Sequence, residues 1–188
     1  MASQLRVDKI VPTNGVPTGG GGAIIQIKQA VFTGTQTHTS GTWTDITDLS
    51  VTLTPHFTDS KLWITGSVLM GGYADAAPNI RIDVNGTNNT TGSVGAAAGS
   101  RTPVHTGFSY YYIDNTTGTA DTYTMFAFPI SWIHSPNSTS AQTVKLQQAN
   151  IDVSGVTQYI NRTNQDNNAV WGATAMSSLT VAEISGGS

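Results

Sequence analysis

Along residues 79–85, Ile80, Ile82 and Val84 fall on one face and Arg81, Asp83 and Asn85 on the other. A repeat of two is the side-chain period of a β-strand; a helix, with its period of 3.6, would scatter these apolar residues around its axis. This segment therefore reads as a half-buried strand with one face in water, closed by an Asn85-Gly86 turn.

The same period recurs along the chain. Residues 24–32 form one apolar-rich run, and residues 33–42, rich in Thr, Gly and Ser, read as a loop. Residues 43–54 offer Trp43, Ile46, Leu49, Val51 and Leu53 as inward anchors before Pro55 interrupts them. Residues 61–70 alternate Leu62, Ile64, Gly66, Val68 and Met70 against Trp63, Thr65 and Ser67. Residues 108–113 and 123–133 are aromatic-rich strands, the second placing Phe126, Phe128, Ile130 and Trp132 on one face. Val144, Leu146 and Gln148 alternate with Thr143, Lys145 and Gln147, and residues 177–184 form a final strand. No stretch sustains apolar i, i+3, i+4 spacing for three turns, and Ala96 to Ala98 is too short to nucleate a helix. About eight antiparallel strands with regular turn signals predict an all-β, jelly-roll-like sandwich over residues 23–188.

Composition agrees. Only 10% of the 188 residues are charged, against roughly 25% in ordinary soluble domains, so the solvated faces must be built from Thr, Ser, Asn and Gln. The net charge of −3 is spread thinly, which leaves no basic groove to track phosphates and argues against nucleic acid as a partner. No apolar run approaches the length that spans a bilayer, so no membrane insertion is expected. The chain has no cysteine, hence no disulfide framework and no thiolate metal site, and extra stability must come from burial or oligomerisation.

Residues 1–22 stand apart from this pattern. Leu5 and Val7 alternate with Arg6 and Asp8 in a short extended segment that has no core of its own. Leu5, Val7, Ile10 and Val11 therefore need a partner surface, on a neighbouring copy or another protein. The run Gly19, Gly20, Gly21 and Gly22 then separates this segment from the sandwich as a hinge. A phosphate loop would need a Lys-Ser/Thr pair opening a helix, whereas Ala23-Ile24-Ile25 opens a strand.

Residues that could carry chemistry are scattered. His38, His56, His105 and His134 show no metal-ligand spacing, and no Gly-x-Ser-x-Gly elbow is present. Residues 161–168 are rich in oxygen atoms but hold one carboxylate outside the calcium-loop order, and read as a polar turn. The Asn-x-Ser/Thr triplets are read as turn composition. A glycan hydrolase would need two paired carboxylates, and Asp83, Asp114, Asp121 and Glu183 are available without any spacing that pairs them. No enzyme, cofactor or metal is expected. Residues 87–100 form a loop long enough to suggest a binding role. Tyr110, Tyr111 and Tyr112 in succession must place at least one ring away from the core, at an oligomer interface or a carbohydrate-stacking surface.

Residues 3–22 (Ser3-Gln4-Leu5-Arg6-Val7-Asp8-Lys9-Ile10-Val11-Pro12-Thr13-Asn14-Gly15-Val16-Pro17-Thr18 and the glycine run), Asp59-Ser60-Lys61-Leu62-Trp63-Ile64, Asn167-Asn168-Ala169-Val170-Trp171-Gly172 and Ser177-Ser178-Leu179-Thr180-Val181-Ala182-Glu183-Ile184 resemble tail-fibre-like virion structural proteins of cyanobacterial and marine bacteriophages. The resemblance implies a homotrimeric virion protein whose amino-terminal stretch docks onto other virion components and whose β-domain projects outward to a host glycan or surface protein. It brings no catalytic residues. Many such fibres carry a long shaft that this chain lacks, so a capsid decoration or cement protein stands beside a short tail fibre or tip as an expectation.

Overall fold

The computed structural model describes residues 22–72, 77–88, 92–107, 123–151, 155–166, 168–170 and 172–186. Ten strands run through them: β1 (Ile24–Phe32), β2 (Gln36–His38), β3 (Thr44–Leu53), β4 (Lys61–Gly72), β5 (Pro78–Val84), β6 (Thr106–Gly107), β7 (Met125–His134), β8 (Gln142–Asn150), β9 (Gln158–Ile160) and β10 (Ser177–Ile184). Among the described residues there is no helix.

All the pairings are antiparallel, and they build two sheets. The first runs β1-β10-β4-β7, with β9 and β2 extending it beside the far end of β4; the second runs β3-β8-β5-β6. Leaving aside the short β2–β9 pair, the chain crosses between sheets at nearly every connection, and the first strand lies beside the last. That connectivity is a jelly roll, as the repeated period of two predicts.

The alternation explains the core. Ile46, Leu49, Val51 and Leu53 of β3, Ile80, Ile82 and Val84 of β5, and Val144 and Leu146 of β8 face Leu62, Ile64, Val68 and Met70 of β4, with Phe128, Ile130, Leu179 and Val181 from its neighbours. All but Ile46 keep the apolar phase of their strands, so one face of each sheet turns inward; a register shift in β3 between Asp45 and Ser50, with Asp48 at φ 59°, brings Ile46 to the same side as Leu49. The Asn85-Gly86 turn has φ of 54° and 81°. Val84 and Thr87 exchange both backbone hydrogen bonds around it, the two-residue turn that Asn-Gly favours.

Both open edges of the sandwich are closed by side chains. At one, Lys28 Nζ donates to the Thr52 carbonyl at 2.8 Å and Gln26 Nε2 to the Thr54 carbonyl at 2.7 Å, stitching β1 to β3. At the other, His105 Nδ1–H donates to the Ser93 carbonyl at 2.7 Å, while its Nε2 accepts the Ser131 amide of β7 at 3.2 Å. An edge strand with unpaired amides is a template for aggregation, and Pro129 in β7 is a further device against it.

Three expectations need correction. Trp43 is not an inward anchor: its ring lies against Arg81 on the outer face of the second sheet, while Ile46, Leu49, Val51 and Leu53 join the core. Residues 33–42 are not all loop, because β2 lies within them and pairs with β9. The polar face of β5 is only partly open to water: Asn85 is exposed and Arg81 partly covered, but Asp83 is buried, bonded by the Gly86 amide and flanked by Lys145 of β8. The alternation gave the direction of Asp83 correctly, but its cover comes from neighbouring strands.

Candidate functional site

The sandwich has two unlike ends. At the proximal end the Gly22 amide donates to the Ser185 carbonyl and the Ser185 amide to the Ala23 carbonyl, both at 2.8 Å, so the first and last strands lie together. The β3–β4 and β7–β8 connections lie at this end. At the distal end β6 stops at Gly107, opposite Asn79, and β7 begins at Met125, opposite Gly71. β9 pairs with the distal end of β4, at Met70–Gly72, so the β9–β10 connection starts at this end as well.

Leu5, Val7, Ile10, Val11, Gly19, Gly20 and Gly21 lie outside the described residues, as do Tyr110, Tyr111 and Tyr112. Of the hinge, Gly22 is described, and its φ of 84° is a conformation that glycine adopts at no steric cost.

The loop of residues 87–100 is in part structural. Ser93 is buried and Gly95 bonds Val104, so the loop is folded against the sandwich beside β7, while residues 96–100 are exposed. Between that exposed stretch and the distal end of β5 lies a cleft of about 430 Å³, lined by Asn79, Gly95, Ser100, Arg101, Val104 and Gly107 among others. Its size falls within the range of small-ligand sites.

Residues 161–168 are likewise less available than their composition implies. Asn161 is fully buried at φ 62°. Its Nδ2 donates to the carbonyls of Phe32 and Gly34, and its Oδ1 accepts from Ser177 Oγ at 2.6 Å. Arg162 stacks over Tyr159 at 4.1 Å. Residues 165, 166 and 168 of this connection are exposed, and Val170 is 99% exposed on a turn closed by the Gly172 amide and the Ala169 carbonyl.

The outer face of the second sheet carries a polar ladder. Arg81 lies 4.4 Å over the Trp43 ring and donates to Gln147 Oε1, Gln147 donates to Asp45, and Lys145 Nζ reaches Asp45 at 2.7 Å. The hydrogen bonds from Lys145 and Gln147, aided by the charge of Lys145, hold the Asp45 carboxyl below its usual range. These cross-strand partners satisfy one another, which is why so polar a surface stays ordered.

The outer face of the first sheet is different. Ile27 pairs with Ala182, Ala182 with Trp63 and Trp63 with Ile133, so an apolar row crosses four strands on the solvent side. Ile24 and Ile184 form the next row toward the proximal end. Ile27 is 59% exposed, Ile133 57%, Ile24 49% and Trp63 40%. This surface was not singled out from sequence, but its signal is there: Trp63 and Ile133 stand on the phase of β4 and β7 that also holds Thr65, Ser67 and Ser131.

The groups weighed for catalysis are dispersed. Asp83 lies on the outer side of the second sheet, whereas Glu183 points into the sandwich from β10; Asp114 and Asp121 lie outside the described residues. His38 is buried in β2, His105 closes the β7 edge, and His134 packs against the Trp132 ring, where desolvation lowers its pKa. His56 serves Glu183. Among the described residues no three His, Asp or Glu side chains gather as a metal site.

No protein-family model matches the chain, and no curated protein does. A solved structure of infectious bursal disease virus, Gx strain, is similar at a TM-score of 0.40 and 11% identity, over 86% of this chain and 37% of that one. The chain thus spans well under half the length of the chain it matches.

Proposed function

We propose that this chain is a virion structural protein, a short homotrimeric tail fibre or tip that contributes to host attachment. The observation that carries the reading is the opposition of the two ends. The segment holding Leu5, Val7, Ile10 and Val11 joins the sandwich at the proximal end, beside Ser185. The cleft by Arg101 and the exposed turn at Val170 belong to the distal end. An anchor at one end and display at the other is the layout an appendage needs. The sequence resemblance to phage tail-fibre-like proteins supports it. Jelly rolls also serve in viral capsid and lectin domains, a fold-level analogy that agrees without deciding function.

In this reading residues 1–22 dock onto other virion proteins, and the distal loops meet a host glycan or surface protein. Purified protein is expected to compete with virions for adsorption to host cells and to sediment as a trimer. Absence of both competition and cell binding would overturn host attachment, and a monomer at micromolar concentration would overturn the trimer.

A capsid decoration or cement protein is the second reading. It is favoured by the flat apolar row on the first sheet, a surface suited to lying against a shell. Locating the protein on intact particles by electron microscopy separates the two.

A further inference from the structure

A second cavity lies on the flank of the sandwich and shares no lining residue with the distal cleft. It takes up about 490 Å³ over the outer face of the second sheet, among Asp45 of β3, Lys145 and Gln147 of β8, Asp83 of β5, and Asn85 and Asn88 just beyond β5. The volume is that of a small-ligand site, but the lining is polar where such sites are mostly apolar.

Asp83 is the unusual member. Its side chain lies in the cavity wall with the residue only 4% exposed. Its Oδ2 accepts the Gly86 amide at 3.1 Å, and among the described residues the carboxyl group takes no other hydrogen bond. Lys145, its cross-strand neighbour, turns the other way and pairs with Asp45 at 2.7 Å. Buried polar groups are nearly always fully engaged, so an acceptor left spare at the wall of a cavity points to a ligand. Donors stand ready around it. Lys145 carries three N–H groups and gives one to Asp45. The half-buried Asn88 amide makes no hydrogen bond with a described residue. Asn85, by contrast, is clamped, donating to Gln142 Oε1 at 2.9 Å and accepting the Thr143 amide at 2.8 Å. That holds the wall in place before any ligand arrives.

We propose that this cavity binds one unit of a neutral saccharide, held by Asp83, Lys145 and Asn88. β8 lies between β3 and β5, so the Lys145 ammonium stands between the carboxyl groups of Asp45 and Asp83. An anion meets the two carboxylates, and a cation meets the ammonium, each at a cost in Coulomb energy. Among the described residues no three His, Asp or Glu side chains gather for a metal. An apolar ligand would strip water from polar groups without replacing their hydrogen bonds. A sugar ring suits the set because each hydroxyl both donates and accepts. Of two adjacent hydroxyls, one donates to Asp83 while the other accepts from Lys145, and Asn88 can do either. The site stands on its own geometry and does not depend on the attachment reading, which places display at the distal end.

The test follows amide resonances of the ¹⁵N-labelled full chain while D-glucose, D-galactose, D-mannose, D-galacturonate and calcium chloride are added in turn. At least one of the three neutral sugars is expected to shift Gly86, Asn88 and Lys145 with millimolar affinity, because each hydrogen bond is exchanged against one to water. Galacturonate and calcium should bind there more weakly by about tenfold or more. Asp83→Asn is expected to weaken sugar binding by about tenfold, the worth of a hydrogen bond to a charged acceptor. Asn88→Ala lies outside the strands and should weaken it by about threefold, which keeps the test decisive if Asp83→Asn does not fold. Arg101→Ala, in the distal cleft, should leave it unchanged. Absence of shifts with all three neutral sugars, shifts centred on Arg101, galacturonate or calcium binding as tightly as the sugars, or unchanged affinity in either folded variant at Asp83 or Asn88 would each overturn the proposal. Adsorption to cells is measured separately, so the failure of either reading is distinguishable from failure of the other.

Discussion

His56 Nδ1 lies 2.8 Å from the Glu183 carboxylate, and the His56 backbone amide reaches the same carboxylate at 2.6 Å. One residue of the β3–β4 connection thus binds one residue of the last strand twice. Ser60 Oγ donates at 2.6 Å and Gln26 Nε2 also donates, so β1, β10 and the β3–β4 connection meet on a carboxylate whose side chain is fully buried. Burial alone would raise its pKa, but the hydrogen bonds from Gln26, His56 and Ser60 outweigh that effect and hold the group below its ordinary 4.5.

Because the folded carboxyl titrates below the unfolded one, its stabilising effect is complete above about pH 4.5 and is lost as pH falls through the lower folded value. Glu183→Gln is expected to destabilise the protein at neutral pH by about 1–3 kcal/mol, the cost of mispairing buried donors, and to flatten the acid limb. Urea unfolding midpoints measured from pH 7 down to pH 3 check both. A variant as acid-sensitive as the parent would remove Glu183 from the account.

Asn161 supports a second prediction. Asn161→Ala removes three side-chain hydrogen bonds at a buried point linking β1, β9 and β10. It also leaves a residue with a Cβ at φ 62°. A loss of about 3 kcal/mol or more is expected. Asn161→Gly loses the same bonds without the backbone strain and should be less damaging by about 1 kcal/mol. Thermal unfolding of the pair separates the two contributions.

Asn161 also shows where sequence reading reaches its limit. A run of Asn, Arg, Thr and Gln reads as solvated, and only the partners at Phe32, Gly34 and Ser177, remote in the chain, make its first residue an internal clamp. The three-residue strands β2 and β9 escape for the same reason: Gln36-Thr37-His38 has no apolar phase, and its pairing with Gln158-Tyr159-Ile160 is decided by tertiary placement. Where a strand buries one apolar face, its limits follow from sequence, as those of β10 do to the residue; β1 also matches to the residue, on apolar content alone, although Ile24, Ile27 and Val31 are exposed. The direction of Asp83 was legible and its burial was not, because alternation says which way a side chain points and nothing about what covers it. The distal cleft drew on a loop that was marked from its length, but the apolar row was overlooked because it is made of single residues from four strands.

Gly66 lies at the crossing of β4 and β10. A Cβ built there would stand 2.2 Å from the Ser178 carbonyl oxygen and 3.2 Å from Leu179 Cα, both backbone atoms that cannot rotate aside. Gly66→Ala is therefore expected to cost about 2–3 kcal/mol through strain in the first sheet, in contrast to the small gain that Gly→Ala gives at an open position. The fall in urea midpoint should come without a change in the slope of the transition.

The last prediction concerns the β7 edge. His105 uses both ring nitrogens at once, Nδ1–H toward the Ser93 carbonyl and Nε2 accepting the Ser131 amide. This takes the neutral ring with its proton on Nδ1. His105→Phe keeps a ring of similar shape but removes donor and acceptor together, leaving the Ser131 amide at the margin of the first sheet. A loss of about 1–2 kcal/mol is expected from the two hydrogen bonds. The more telling consequence is association, since an uncovered edge strand recruits other chains. Light scattering should therefore rise with protein concentration in His105→Phe and stay flat in the parent. His105→Gln, whose amide can both donate and accept, should fall between them. A His105→Phe protein that is less stable yet no more associating would mean that Pro129 and the rest of the 92–105 segment protect the edge without the histidine.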